Sequence, residues 1–245
     1  MPSTAPDPLA PDKGRDVRRM FASIAPRYDL LNRLLSAGQD QRWRRRVVAA
    51  LPSLRPGDRV LDLCSGTGDL ALAIGRSAPA GVSVHASDFC EPMLARLPAK
   101  ARRHGLAPLL AAADALALPY VPGSFRAVTV AFGLRNVQDP PAALGEMARV
   151  LQPGGRVLVL EFSRPDGRLF GALYRAYVFG VLPRVGRLLS GSEVDAYRYL
   201  PESVWAFPRP GELARAFALH GLDLLYQEPL LGGAVVLHVA QKRDP

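Results

Sequence analysis

Apolar and polar positions along this chain of 245 residues fall into two rhythms. Short runs rich in Val, Leu and Ala, each closed by Gly, Asp or Pro, alternate with longer stretches whose apolar residues recur every three or four positions. The first rhythm is that of buried strands, the second that of amphipathic helices. Strands are expected at 59–64, 82–87, 107–112, 126–132 and 156–162, with helices near 68–78, 91–104 and 140–151. Such alternation builds a mostly parallel sheet with helices on both faces. A helix at 210–220 and strands near 222–228 and 233–241 bring the sheet to seven strands. Ahead of it, 17–52 forms a helical region carrying Met20, Phe21, Ile24, Tyr28 and Leu31, and Pro52, Pro56 and Gly57 break the chain before the first strand. Residues 1–16, with Pro2, Pro6, Pro8 and Pro11, are expected to be a disordered tail. Residues 163–208 interrupt the rhythm as an insertion after the fifth strand.

Composition narrows the picture. Hydrophobic residues make up 49% of the chain, which excludes global disorder. The net charge of +9 favours anionic surfaces, either nucleic acid or acidic lipid headgroups. Cys64 and Cys90, without metal-ligand spacing or a signal peptide, read as reduced thiols of a cytoplasmic protein, with no metal expected. No uncharged apolar stretch approaches the ~20 residues that span a bilayer, so membrane contact, if any, is expected to be peripheral.

The candidate chemistry starts at Val60-Leu-Asp-Leu-Cys-Ser-Gly-Thr-Gly-Asp-Leu-Ala71, a strand that ends in a glycine turn and enters a helix. Glycine lets the backbone approach a ligand there, and helix N–H groups face it. Gly66-x-Gly68-x-x-Ala71 also meets the looser dinucleotide fingerprint, so a nicotinamide or flavin enzyme is an alternative. Asp62, just ahead of the turn, would repel a pyrophosphate and suits a cationic ligand such as the sulfonium of S-adenosylmethionine. Asp88 ends the second strand, where an acid accepts from ribose hydroxyls, although it also stands near a helix start and could cap it. Asp114-Ala115, after the third strand, suits an adenine amine, or is a turn aspartate. Arg135 and Asn136 follow Phe132-Gly133 at the end of the fourth strand, where substrates sit in this architecture; the alternatives are a surface arginine and the cap of the helix opening at Pro140.

Together with the Leu151-Gln-Pro-Gly-Gly155 turn, these features resemble a class I S-adenosylmethionine-dependent methyltransferase, a Rossmann-like α/β fold. Met20-Phe-Ala-Ser-Ile-Ala-Pro-Arg-Tyr-Asp-Leu-Leu-Asn32 and Phe132-Gly-Leu-Arg-Asn-Val137 are similar to hallmark motifs of the quinone-biosynthesis C-methyltransferases of the UbiE/MenG/COQ5 family. Glu161-Phe-Ser-Arg-Pro165 and Tyr197-Arg-Tyr-Leu-Pro-Glu-Ser203 match it too. Asp40 departs from the pattern, standing where a histidine is common; Arg126 replaces an acid, and 120–123 lacks an aspartate often seen there.

The resemblance implies methylation of a ring carbon on a prenylated hydroquinone, demethylmenaquinol or its benzoquinol counterpart. It gives Thr67, Asp88, Asp114 and Ala115 donor-binding roles beside Asp62, with Gly66 and Gly68 shaping the turn. Arg135, Asn136 and Tyr28 are nominated for the ring: a fixed cation for the developing phenolate, an amide to orient the hydroxyl or a water, and a proton relay. The alternative for Tyr28 is a buried aromatic on an amphipathic helix. Between Phe162 and Ser190, Leu169, Phe170, Leu173, Tyr174, Tyr177 and Val178 are expected on one helical face beside Arg168, Arg175, Arg184 and Arg187. Such a lid would bind the prenyl tail and dock to anionic lipid at the inner face of the membrane. A homodimer stays open. A nucleic-acid methyltransferase is disfavoured because no basic stripe with interleaved aromatics is present.

Overall fold

The computed structural model describes residues 6–10, 12–165, 167–181, 184 and 196–244. Three helices lead the chain: α1 (Lys13–Ile24), α2 (Tyr28–Leu35) and α3 (Gln39–Ala49). Then come β1 (Arg59–Leu63), α4 (Asp69–Ser77), β2 (Ser83–Asp88), α5 (Glu91–Leu94), α6 (Leu97–Arg102), β3 (Leu109–Ala112) and β4 (Phe125–Ala131). A 3-10 turn (Leu134–Asn136), α7 (Pro140–Val150) and β5 (Leu151–Phe162) follow. The chain closes with α8 (Arg168–Ala176), α9 (Ala196–Ala206), α10 (Pro210–Leu219), β6 (Leu222–Leu230) and β7 (Val235–Lys242).

The seven strands form one sheet in the order β3-β2-β1-β4-β5-β7-β6. Neighbours from β3 to β5 pair in parallel, and β7 runs antiparallel to both β5 and β6. Near-continuous apolar runs such as Val60-Leu61 and Val157 to Leu160 are buried on both faces, as a covered parallel sheet requires. One core lies under α7 and α10, around Leu144, Met147 and Phe217; the other lies under α3 and α4, around Trp43, Val47 and Ile74. The α3 helix is therefore part of the domain core. After β1 the chain winds to β2 and β3 on one side and returns to β4 on the other, which opens a crevice at the carboxyl ends of β1 and β4.

Four expectations change. The helix expected over 91–104 is two, because Pro98 has no N–H to carry a single helix through. β5 begins at Leu151: the Pro153-Gly154-Gly155 turn is absorbed as a bulge in its pairing with β4, at Gly154 with φ +64°. The tail expected over 1–16 stops short, since α1 begins at Lys13, whose ammonium is buried against two carbonyls. Finally, the proposed apolar face of α8 and the turn after it is divided. Leu169 (77% exposed) and Leu173 (61%) face outward, whereas Val178 is buried. Arg187 lies outside the described residues.

Candidate active site

The crevice is formed where β1 and β4 end. Two non-glycine residues take left-handed backbone there, Cys64 (φ +53°) after β1 and Phe132 (φ +59°) after β4. Each costs on the order of 1–3 kcal/mol and persists because its surroundings hold it. Gly133 is required for their approach: a Cβ there would fall 2.3 Å from Cys64 Cβ. At Gly68 (φ +84°) a side chain would collide with Leu97, so this glycine seats the turn on α6.

A first, smaller cavity lies over the turn, walled by Gly66, Asp88, Phe89, Cys90, Met93, Asp114 and Ala115, with Asn136 at one side. Asp88 braces it. Its carboxylate accepts from Gly66 N–H and Cys90 N–H, both at 2.7 Å. Burial raises its pKa, against the pull of those two N–H groups. It does not cap α5, whose N-cap is Cys90. Asp114 is exposed and accepts from Leu116 N–H at 3.0 Å, the turn geometry weighed above, while remaining on the cavity wall.

Asp62 and Thr67 sit on the other side of the glycine turn, around a small recess shared with Arg44 and Asp69. Asp62 accepts from Ser65 Oγ at 2.7 Å and Thr129 Oγ1 at 2.9 Å. Burial pushes its pKa up to about 6. Thr67 donates its hydroxyl to Asp29 of α2 at 2.5 Å. Lys100 bridges Asp29 (2.8 Å) and Asp69, and Arg44 bridges Asp40 (2.5 Å) and Asp69 (3.5 Å). These ion pairs fasten the N-terminal helices to the glycine turn.

A second cavity of about 520 Å³ opens on the far side of Tyr28 and is mostly apolar, lined by Met20, Ile24, Trp43, Phe162, Tyr174 and Val178 among others. Phe21, Tyr28 and Phe132 belong to the walls of both cavities. Burial raises the Tyr28 phenol's pKa, opposed by a hydrogen bond with Asn32 and by the charges of Arg135 and Arg44. Arg135, 7% exposed, lies on the larger cavity. Its Nη1 donates to Glu161 Oε1 at 2.9 Å and to Phe132 O at 2.5 Å, its Nε donates to Ser203 Oγ at 3.3 Å, and its guanidinium lies 5.3 Å from the Phe162 ring centre. Asn136, a wall of the first cavity, donates to Phe132 O at 3.3 Å and leaves its buried Oδ1 without a partner among the described residues. It is not the cap of α7: Asp139 is, accepting from Ala142 N–H at 3.0 Å.

The structure thus brings Tyr28, Asn136 and the Asp88–Gly66 brace around one cavity and sets Arg135 across Phe132 on the other. Glu161, the partner of Arg135, was not singled out as a site residue. Its signal was present: an acid at the end of the otherwise apolar run Val157 to Leu160 must find a cation.

A model of the ubiE/COQ5 methyltransferase family matches residues 10–242. Over 91% of the chain and the whole of that protein, the sequence is 52% identical to a demethylmenaquinone methyltransferase of Thermus thermophilus. It is 44% identical to the ubiquinone/menaquinone biosynthesis C-methyltransferase UbiE of Geobacter sulfurreducens, over 92% of the chain and 88% of that protein. The fold matches a SAM-dependent methyltransferase from Aquifex aeolicus with a TM-score of 0.61 at 13% identity, covering 87% of this chain and 97% of that one. With its crevice at β1 and β4, its glycine turn and its two abutting cavities, the chain belongs to the ubiE/COQ5 methyltransferase family.

Proposed function

We propose that this protein moves a methyl group from S-adenosylmethionine to a ring carbon of a prenylated hydroquinone, demethylmenaquinol first and the ubiquinone-pathway benzoquinol as a second acceptor. One observation carries the reading: a compact cavity braced by carboxylates meets a much larger apolar one at Tyr28 and Phe132. The second, about 520 Å³ and mostly apolar, falls within the ~300–1,000 Å³ typical of small-molecule sites and is several times the first, as an acceptor with a long hydrocarbon tail requires. Relatives named as demethylmenaquinone methyltransferases support the head group.

The first cavity fits the donor. Asp88 and Asp62 give the glycine turn a field that favours a cation, Phe89 and Met93 supply apolar walls for a base, and Asp114 offers an acceptor at the rim. When bound, S-adenosylmethionine supplies an electrophilic methyl carbon on a positively charged sulfur. The chain must then bring out the nucleophilicity of a ring carbon, which rises as the neighbouring hydroxyl gives up its proton. Asn136 Oδ1, a buried acceptor with no partner among the described residues, is the group that takes that hydroxyl's hydrogen bond and orients it. Tyr28 stays protonated because burial raises its pKa, so it donates a hydrogen bond to the phenolate and does not serve as base. Arg135 holds the Phe132 carbonyl and adds positive potential at the ring, tempered by Glu161. A water held by these groups accepts the proton.

The 163–208 segment is proposed as the tail-binding lid. Leu169, Leu173, Phe179 and Val181 are exposed beside Arg175 and Arg184, and Tyr177 of the same segment reaches Leu35 O of α2 at 3.2 Å. No helix among the described residues is long and apolar enough to cross a membrane. Peripheral docking to anionic lipid is the form of contact this surface supports. Cosedimentation with liposomes is expected to rise with anionic lipid content, and binding indifferent to it removes the docking proposal.

The deciding experiment supplies labelled S-adenosylmethionine with each quinol and extracts the product into organic solvent. Label in the lipid phase supports the reading and identifies the head group. No label with either quinol, despite donor binding by calorimetry, overturns the substrate.

A further inference from the structure

Lys13 stands where sequence alone expects a disordered tail, yet it is only 5% exposed. Its position is unfavourable by itself. A cation in the first turn of α1 opposes the helix dipole, and burying an ammonium costs hydration. What compensates is specific: Nζ donates to Arg135 O at 2.8 Å and to Val137 O at 2.9 Å. Those carbonyls flank Asn136, at the end of a short 3-10 turn (Leu134–Asn136) whose own backbone bonds do not use them. Two further bonds run beside the ammonium. Gly14 N–H donates to Gln138 Oε1 at 3.2 Å, and Gln138 Nε2 donates to Ala10 O at 3.1 Å. Gly14, Val137 and Gln138 are themselves walls of the donor cavity, together with Asn136.

We propose that Lys13 is a positioning residue for methyl transfer, its ammonium fixing the turn that presents Arg135 and Asn136 while the segment around it closes the donor cavity. The proposal rests on the quinol-methylation reading for its effect on turnover but not for its effect on donor binding. Lys13 touches neither substrate; it acts through Asn136 and Arg135. The same helix carries Phe21, and the chain turns directly from it into α2 at Tyr28, so the anchored helix start bears on two further residues of the donor cavity wall.

The groups facing Lys13 give the arrangement a pH signature. Burial first, and then the Arg135 guanidinium, lower its pKa to about 8 against the opposing charge of Glu161 of β5. On its own helix, Asp12 pairs with Arg15 and Asp16 with Arg19, so neither holds the ammonium. As pH rises through about 8 the charge on Lys13 is lost and its two hydrogen bonds weaken.

The test compares wild type with Lys13→Met and Lys13→Arg, reading donor affinity by calorimetry, turnover with quinol from pH 6.5 to 9.5, and melting temperature. Expected for Lys13→Met is a donor Kd raised about fivefold, turnover down at least tenfold at pH 7, and no further decline above pH 8. Lys13→Arg, which keeps a charge that does not titrate in this range, is expected to restore most of the turnover and to lack the alkaline decline. Wild-type affinity and turnover in Lys13→Met overturn the proposal, as does a Lys13→Arg profile that declines like wild type. Should Lys13→Met melt below the assay temperature, the Lys13→Arg profile against wild type decides alone. If no variant methylates the quinol, the substrate reading fails, and the donor titration still judges the clamp.

Discussion

The Arg135–Glu161 pair allows a structural role for the arginine to be separated from a chemical one. The guanidinium is 7% exposed and the carboxylate 1%, at 2.9 Å. Glu161 also accepts from the backbone N–H of Arg135 at 3.2 Å and of Phe162 at 2.9 Å. Glu161→Gln keeps a carbonyl acceptor for those N–H groups but strands a buried cation. Removing one partner of such a pair costs about 3–5 kcal/mol, whereas replacing both is close to neutral. For a domain of this size each kcal/mol moves the melting temperature by roughly 2–4 °C. Glu161→Gln and Arg135→Met are therefore each expected to melt roughly 6–20 °C below wild type, and the double variant to recover more than half of that loss. Calorimetric melting of all four proteins measures the coupling. Additive losses would refute the reasoning that desolvated charge dominates here. The double variant then tests chemistry on a stable scaffold: turnover reduced more than tenfold, roughly 1.4 kcal/mol, assigns Arg135 to the phenolate, while turnover within tenfold confines it to holding Phe132 and Glu161.

Further expectations follow from single contacts. Gly133→Ala must part β4 from Cys64, because the new methyl lies 2.3 Å from its Cβ; donor affinity by calorimetry is expected to fall at least tenfold, and unchanged binding would show the crevice to be compliant. Asp62 titrates at about 6 in the fold against an ordinary value of 3.8, so the stability linked to it is present below pH 4 and lost as pH rises through 6. Asp62→Asn should accordingly melt above wild type at pH 7.5, by roughly 3 kcal/mol at most, and converge with it at low pH; a gap independent of pH contradicts the cause assigned. Thr67→Val removes the bond to Asp29 and is expected to raise the donor KM several-fold with kcat little changed; a pure kcat loss would place Thr67 in the chemistry instead.

The sheet was legible because its signals are local. Buried strands read as apolar runs, and Gly and Pro mark where they stop, so six of the seven strands fall within a residue or two of expectation; β5 alone starts early, where a proline–glycine turn is taken up as a bulge. The glycine turn, Asp88 and the Arg135-Asn136 turn were legible for the same reason: each sits at the end of a strand. The pairings were not. Lys13 lies more than a hundred residues from Val137, and Asp29 meets Thr67 and Lys100 only once α2 has folded over the glycine turn. No period or spacing carries such contacts, and a run of prolines at 2, 6, 8 and 11 argued for disorder just where the clamp begins.

Strain is the part of the site that no residue type announces. Four non-glycine residues among those described have positive φ: Ala37, Cys64, Phe132 and Leu231. Phe132 stands where the two cavities meet, Cys64 lines the smaller one, and Ala37 and Leu231 line the large one. Glycine would relieve each of them, and a sequence reader looks for glycine at such backbone. Their side chains explain its absence. Phe132 packs on Trp43 at 5.8 Å and Phe162 at 4.6 Å between centroids, and its carbonyl receives both Arg135 and Asn136. A glycine there would relax the backbone while removing the partition between donor and acceptor cavities. The left-handed turn aims that carbonyl at Arg135 and Asn136, so backbone strain and ring packing are two sides of one requirement: on the proposed reading, the wall between the cavities is rigid where the methyl crosses it.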